Sequence, residues 1–144
     1  MEIYESSTTY RKVGEVPSAT TIDGPKGAVN YMRGAFRQFP LQEQVWVLQL
    51  SRKNHIASRE MVALGTHNAC VVEPSVIFRP AILQGSDSII IVHNHPSGDP
   101  SPSSSDLQLC SKLVNCGKVL SIPVRDFIVM GHNDYWSASD KDLV

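Results

Sequence analysis

The chain has 144 residues, 42% of them hydrophobic and 19% charged, with a formal net charge of -1. That length suits one domain with a single core, and that composition excludes a disordered chain. Near-neutrality excludes long-range attraction to nucleic acid or to an anionic membrane, so either role would need a local basic patch.

The only basic groupings are Arg11-Lys12, Arg52-Lys53, and Arg33 with Arg37 one helical turn apart; they read as solvated surface. The longest apolar run, Ile89-Ile90-Ile91-Val92, is strand-sized, so no membrane span is expected. The acidic start, Met1 to Glu5, is not followed by an apolar run. We therefore expect no signal peptide and a cytoplasmic protein. Cys70, Cys110 and Cys116 form no CxxC pair and read as reduced thiols.

In chain order, residues 1–21 are polar and lack a period, so they read as a loosely docked N-terminal arm ahead of a domain over 22–144. Asp23-Gly24-Pro25 starts a helix whose apolar face is Ala28, Val29, Met32, Phe36 and Phe39, ended by Pro40. Gln42–Leu50 and His55–Leu64 read as strands joined by a turn at Arg52-Lys53-Asn54, with a short strand near Cys70–Val72. Pro74 opens a second helix, stopped by Gly85, with Val76, Ile77, Pro80, Ala81 and Leu83 as its buried side. Ser88–His93 is a near-continuous apolar run, as in a central strand covered on both faces. A third helix is expected from Ser103 to Asn115 with Gly117 just past its end, then strands over Val119–Val124, Asp126–Met130 and Tyr135–Ser137. This order predicts an α/β domain, a mixed central sheet flanked by helices. Edge strands of such a sheet leave a homo-oligomer open.

The chemistry concentrates in residues 93–106. His93 and His95 are two apart on an extended segment, so both imidazoles face one point while Asn94 turns away. The strand would deliver them at its C-terminal edge, where ligands bind in α/β sheets. Ser103 and Asp106 form a capping-box pattern, and a plain helix cap is one reading. Asp106, however, falls within the helical arc marked by Leu107, Cys110, Leu113 and Val114. A carboxylate aimed inward must be paired or bound to a cation. Two imidazoles and one carboxylate with a fourth position open have the pattern of a catalytic zinc site. Such a site lowers the pKa of bound water to about 7. It also needs a proton carrier that is not a ligand. Glu43, at the head of an otherwise core-bound strand, is the candidate, the alternative being an exposed strand mouth.

The pattern Glu43 … His93-x-His95-x7-Ser103-x2-Asp106 resembles the JAMM signature of the MPN metalloprotease superfamily. The string His93 to Pro100, with Gly65-Thr66 and Ile77 to Ala81 upstream, is similar to its RadC branch over roughly residues 22–144. The resemblance implies an MPN (JAB/JAMM) fold with one zinc per chain. It implies His93, His95 and Asp106 as metal ligands, Glu43 as general base and Ser103 as a donor to the oxyanion. It implies cleavage of an amide bond in a protein or peptide substrate. The branch also carries a label of DNA repair, which leaves open an accessory protein with direct nucleic-acid binding, or a metal-bearing scaffold without turnover. The helical segment usual ahead of this domain is expected to be missing, since about twenty residues precede it, so an inference of DNA binding from that segment does not transfer. The family's Pro-Arg-Glu-Ile-Phe-Arg becomes Pro74 to Arg79, and its late Asp-His pair becomes Asp126-Phe127. A zinc nucleobase deaminase fits poorly: it needs H-x-E and P-C-x-x-C, whereas no Glu stands between His93 and His95, and Cys110 and Cys116 are six apart.

Overall fold

A computed structural model describes residues 21–65 and 72–144. Its β-branched runs form one five-stranded sheet in the order β2-β1-β3-β4-β5. The strands are β1 (Gln44–Leu50), β2 (Ile56–Leu64), β3 (Ser88–Asn94), β4 (Val124–Met130) and β5 (Tyr135–Ser137). β1 pairs antiparallel with both β2 and β3, β3 pairs parallel with β4, and β4 antiparallel with β5. The parallel pair is bridged by α3 (Ser104–Leu120), as a parallel connection requires. The fold is the expected mixed α/β domain.

β3 is buried along its whole length because both faces of the sheet are covered. On one face Ile89, Ile91, Val45, Val47 and Phe127 pack with Ile77, Phe78 and Ala81 of α2 (Pro74–Gln84) and with Cys110 and Leu113 of α3. On the other face Ile90, Val92, Leu48 and Ile128 pack with Ala28, Val29 and Met32 of α1 (Pro25–Met32). The period-two alternation of β3 thus feeds two cores.

Several expectations need correction. The helix read from Pro25 to Phe39 is broken: Gly34 adopts a left-handed φ of 84°, α1 ends at Met32, and Ala35–Gln38 is a separate 3-10 turn. Gly117 does not follow α3 but lies inside it, where a Cβ would stand 2.6 Å from the Ile122 carbonyl oxygen. The helix stops at Ser121, in the left-handed region. Val119 and Leu120 are therefore helical, and the strand read over Val119–Val124 begins only at Val124. Leu83 and Leu107, assigned to buried faces, are 58% and 41% exposed. Of the short strand read at Cys70–Val72, Cys70 and Val71 lie outside the described residues, and Val72 is buried but not in a strand. Thr21, the end of the expected arm, bridges to His55; residues 1–20 lie outside the described residues. Among the described residues, no helix is long and apolar enough to cross a membrane, and Cys110 and Cys116 are free thiols.

Candidate metal centre

The C-terminal end of β3 carries His93 inside the sheet, paired in register with Val45 of β1 and Val129 of β4. Its side chain is 3% exposed and packs against the Phe127 ring at 5.4 Å. His95 is one residue past the strand, 19% exposed at the side chain, with its ring edge-on to His93 at 5.0 Å. The two-residue spacing therefore does bring both imidazoles to one place.

Asp106 reaches the same place from α3. Its backbone N–H donates to Ser103 Oγ, and its Oδ2 accepts from the Ser103 N–H at 2.6 Å, so the capping box is complete. The inward aim is also real: Asp106, Cys110, Leu113 and Gly117 are the buried positions of α3. Capping and inward aim coexist because the two carboxylate oxygens divide the work. Oδ2 takes the cap donors and lies 3.3 Å from His95 Nε2. Oδ1 is 3.4 Å from His93 Nε2.

Glu43 stands immediately before β1, and its Oε1 accepts from His93 Nδ1 at 3.1 Å. One donor atom from each of Glu43, His93, His95 and Asp106 lies within 4.8 Å of the others. Every predicted site residue is thus at one locus. Ser103 is there too, but its Oγ proton is given to Asp106 Oδ2 at 2.8 Å.

Electrostatics follow from the crowding. Burial pushes the Asp106 carboxyl up, but the His95 hydrogen bond, the nearby His93 and the Ser103 donors more than offset it, holding it at about 2. The Asp106 hydrogen bond raises His95, outweighing its partial burial, with help from the Asp99 carbonyl. That carbonyl accepts from His95 Nδ1 at 2.9 Å, leaving Nε2 to face Asp106.

His93 Nε2 is buried and has no hydrogen-bond partner, because its approach to Asp106 Oδ1 is not a hydrogen-bond geometry. An orphaned buried nitrogen of this kind calls for an explanation, and a role as a metal ligand is one. The donor set, two imidazole nitrogens and one carboxylate oxygen, suits zinc and leaves a position open. The residues present fit a metal ion of that type.

Asn94, which sequence reasoning set aside as turned away, has a part in the site. Its Oδ1 accepts from the Gln44 N–H at 2.7 Å and its Nδ2 donates to the Gln42 carbonyl at 3.2 Å. The amide therefore brackets Glu43 on both sides. Gln44 is also buried, donating to the Phe36 and Phe39 carbonyls. The available signal was a polar residue ending an otherwise apolar strand; a buried amide must find partners.

Comparison with known proteins places the chain in a family. The profile of the family described as "RadC-like JAB domain" matches residues 22–143. A UPF0758 protein of Methanosarcina acetivorans is 45% identical over 123 residues, covering 85% of this chain and 53% of the relative. A UPF0758 protein of Chlorobaculum tepidum is 39% identical over 123 residues, covering 85% of this chain and 55% of the relative. The chain thus spans about half the length of the curated relatives it matches. The matched span starts ahead of α1 and ends beyond β5, and so takes in every strand and helix described above: the chain belongs to the RadC-like JAB-domain family.

Proposed function

We propose that this domain is a zinc-dependent hydrolase of the JAMM type that cleaves an amide bond in a protein or peptide. The observation that carries the reading is the buried, partnerless His93 Nε2 facing His95 and Asp106, with Glu43 on its other nitrogen. His93 Nε2, His95 Nε2 and Asp106 Oδ1 would hold the ion. When bound, zinc polarises a carbonyl and makes water nucleophilic at neutral pH.

The chain's own residues do the rest. Glu43 keeps one oxygen on His93 Nδ1 and has a second to carry a proton from water to the leaving amine. Its hydrogen bond also fixes the ring orientation of His93, the usual task of a carboxylate beside a ligating imidazole. Ser103 Oγ sits at the mouth of the site; donating to a developing oxyanion requires its proton to turn away from Asp106 Oδ2. The first turn of α3 adds its positive end beside Asp106, favouring the ionised carboxylate.

The test has two arms. Metal analysis of purified protein is expected to find one zinc per chain, lost in His95→Ala. Glu43→Gln is expected to keep the zinc and lose turnover by orders of magnitude on a panel of peptide and isopeptide substrates. Zinc retained in full by His95→Ala would overturn the site. Hydrolysis undiminished in Glu43→Gln would remove Glu43 from the reaction.

A further inference from the structure

His93 is locked by the sheet and by Phe127, but His95 lies beyond the strand, on the loop 95–100, and needs another support. That support is the last residue of β4 together with the β4–β5 turn that follows it. The His95 N–H donates to the Met130 carbonyl at 2.9 Å, and the His132 N–H donates to the Gly98 carbonyl at 3.1 Å. Within the loop, the Gly98 N–H returns to the His95 carbonyl at 2.9 Å, and the Asp99 carbonyl holds His95 Nδ1 at 2.9 Å. An unbroken chain of contacts therefore runs from the turn, through the loop, to the imidazole.

Two glycines make this docking possible. A Cβ on Gly131 would stand 2.3 Å from the Gly98 carbonyl oxygen and 2.9 Å from Pro100 Cδ. A Cβ on Gly98 would stand 2.6 Å from a His132 ring nitrogen. The two positions differ in kind. Gly98 has a φ of +90°, which disfavours any side chain on its own account. Gly131 is not among the positive-φ residues, so an alanine there meets no backbone penalty and acts only through contact with the loop. Its obstacle is backbone and a proline ring, neither of which can swing aside as the end of a flexible side chain does.

We propose that Gly131 is a positioning residue for the metal centre: its missing side chain lets the β4–β5 turn seat the loop 95–100 and so aim His95 at Asp106. The proposal rests on the metal reading given above. A methyl group at position 131 lifts the loop, carries the Asp99 carbonyl with it, and unseats one of three ligands while β3 and α3 stay in place.

The test is zinc affinity, read by competition with a chromophoric chelator, alongside thermal melting of the metal-free protein. Gly131→Ala is expected to weaken zinc binding by about 10–100-fold, the range for losing an orienting partner, with the metal-free melt little changed. His132→Ala, which keeps the backbone N–H, is expected to bind zinc as wild type does. If Gly131→Ala does not fold, Gly98→Ala reads the same seat from the loop side and is expected to show the same weakening. Wild-type affinity in folded Gly131→Ala, or in Gly98→Ala where that variant stands in, overturns the proposal and leaves the metal reading intact, provided His95→Ala has lost zinc. Wild-type affinity in His95→Ala overturns both.

Discussion

Glu43 Oε1 and His93 Nδ1 are 3.1 Å apart, joined across two strands by residues fifty apart in sequence. On the proposed reading, the contact gives Glu43 two separable tasks, orienting a ring and carrying a proton. Glu43→Gln retains an oxygen to accept from Nδ1, so zinc affinity should fall by less than tenfold. Glu43→Ala removes the acceptor, and affinity should fall by about 10–100-fold. Chelator competition on the two variants checks this; equal affinities would mean that the hydrogen bond does not orient the ring.

The His95–Asp106 contact predicts opposite pH responses for the metal-free and metal-bound forms. His95 is raised above 6.5, so its contribution to stability is full below that value and is lost as pH rises through the raised pKa. Asp106 is lowered from 3.8 to about 2, so its contribution is full above 3.8 and is lost as pH falls through about 2. Both shifts describe one pair, and its stabilisation of the metal-free protein should be greatest between 3.8 and 6.5. Zinc competes with the proton on His95, so its affinity should climb with pH until His95 is neutral. Urea unfolding of wild type and His95→Ala in chelator, at pH 5 and 8, should show a difference that shrinks at the higher pH.

Ser103→Ala removes the side-chain half of the cap while the backbone N–H still donates to Asp106. The loss expected is about 1 kcal/mol of stability, typical of an N-cap. Zinc affinity should change far less than in Asp106→Ala, which on the proposed reading loses a ligand together with the carboxylate half of the capping box, while the residue-106 N–H still donates to Ser103 Oγ. Denaturant melts and metal titrations on both variants separate the two roles.

Asp126 is a buried carboxylate outside the candidate metal centre. Burial pushes its pKa up, although it accepts from the Phe127 and Ser139 N–H groups and from the Ser137 and Ser139 hydroxyls. Asp126→Ala leaves the Phe127 and Ser139 N–H groups without this acceptor, while the Ser137 and Ser139 hydroxyls keep each other at 3.0 Å; it should cost about 2 kcal/mol or more, since each stranded group costs about 1–3 kcal/mol. Hydrogen exchange should show β5 and the residues after it opening first. Unchanged protection there would mean that the network does not hold the C-terminal segment.

The sequence was most informative where short-range geometry decides the outcome. His93 and His95 converge because a strand has a period of two, and Ser103 with Asp106 caps α3 because that pattern satisfies helix N–H groups. Both are local rules. The misreadings share a different origin. Gly117 looked like a helix stop, but the chain returns so closely at Ile122 that only a residue without Cβ fits inside the helix there. Val119 looked like strand because it is β-branched, yet it is an 85% exposed helical residue. Gly34, inside an apolar helical pattern, was the break that periodicity concealed. Gly131 and Asn94 were hidden because their partners lie on other strands and loops, at distances that no sequence pattern encodes.

The bracketing of Glu43 by the Asn94 amide has a consequence for how this centre tolerates change. The imidazoles leave β3 toward α3 while the amide leaves it toward α1, so one tripeptide serves opposite sides of the sheet at once. Deleting or inserting one residue here would not merely loosen the centre. It would exchange the sides, sending the amide where nitrogens are needed and stranding the rings among aliphatic groups. Residues 93–95 should therefore be kept as an indivisible unit, in step with the Gly98 and Asp99 carbonyls that seat His95.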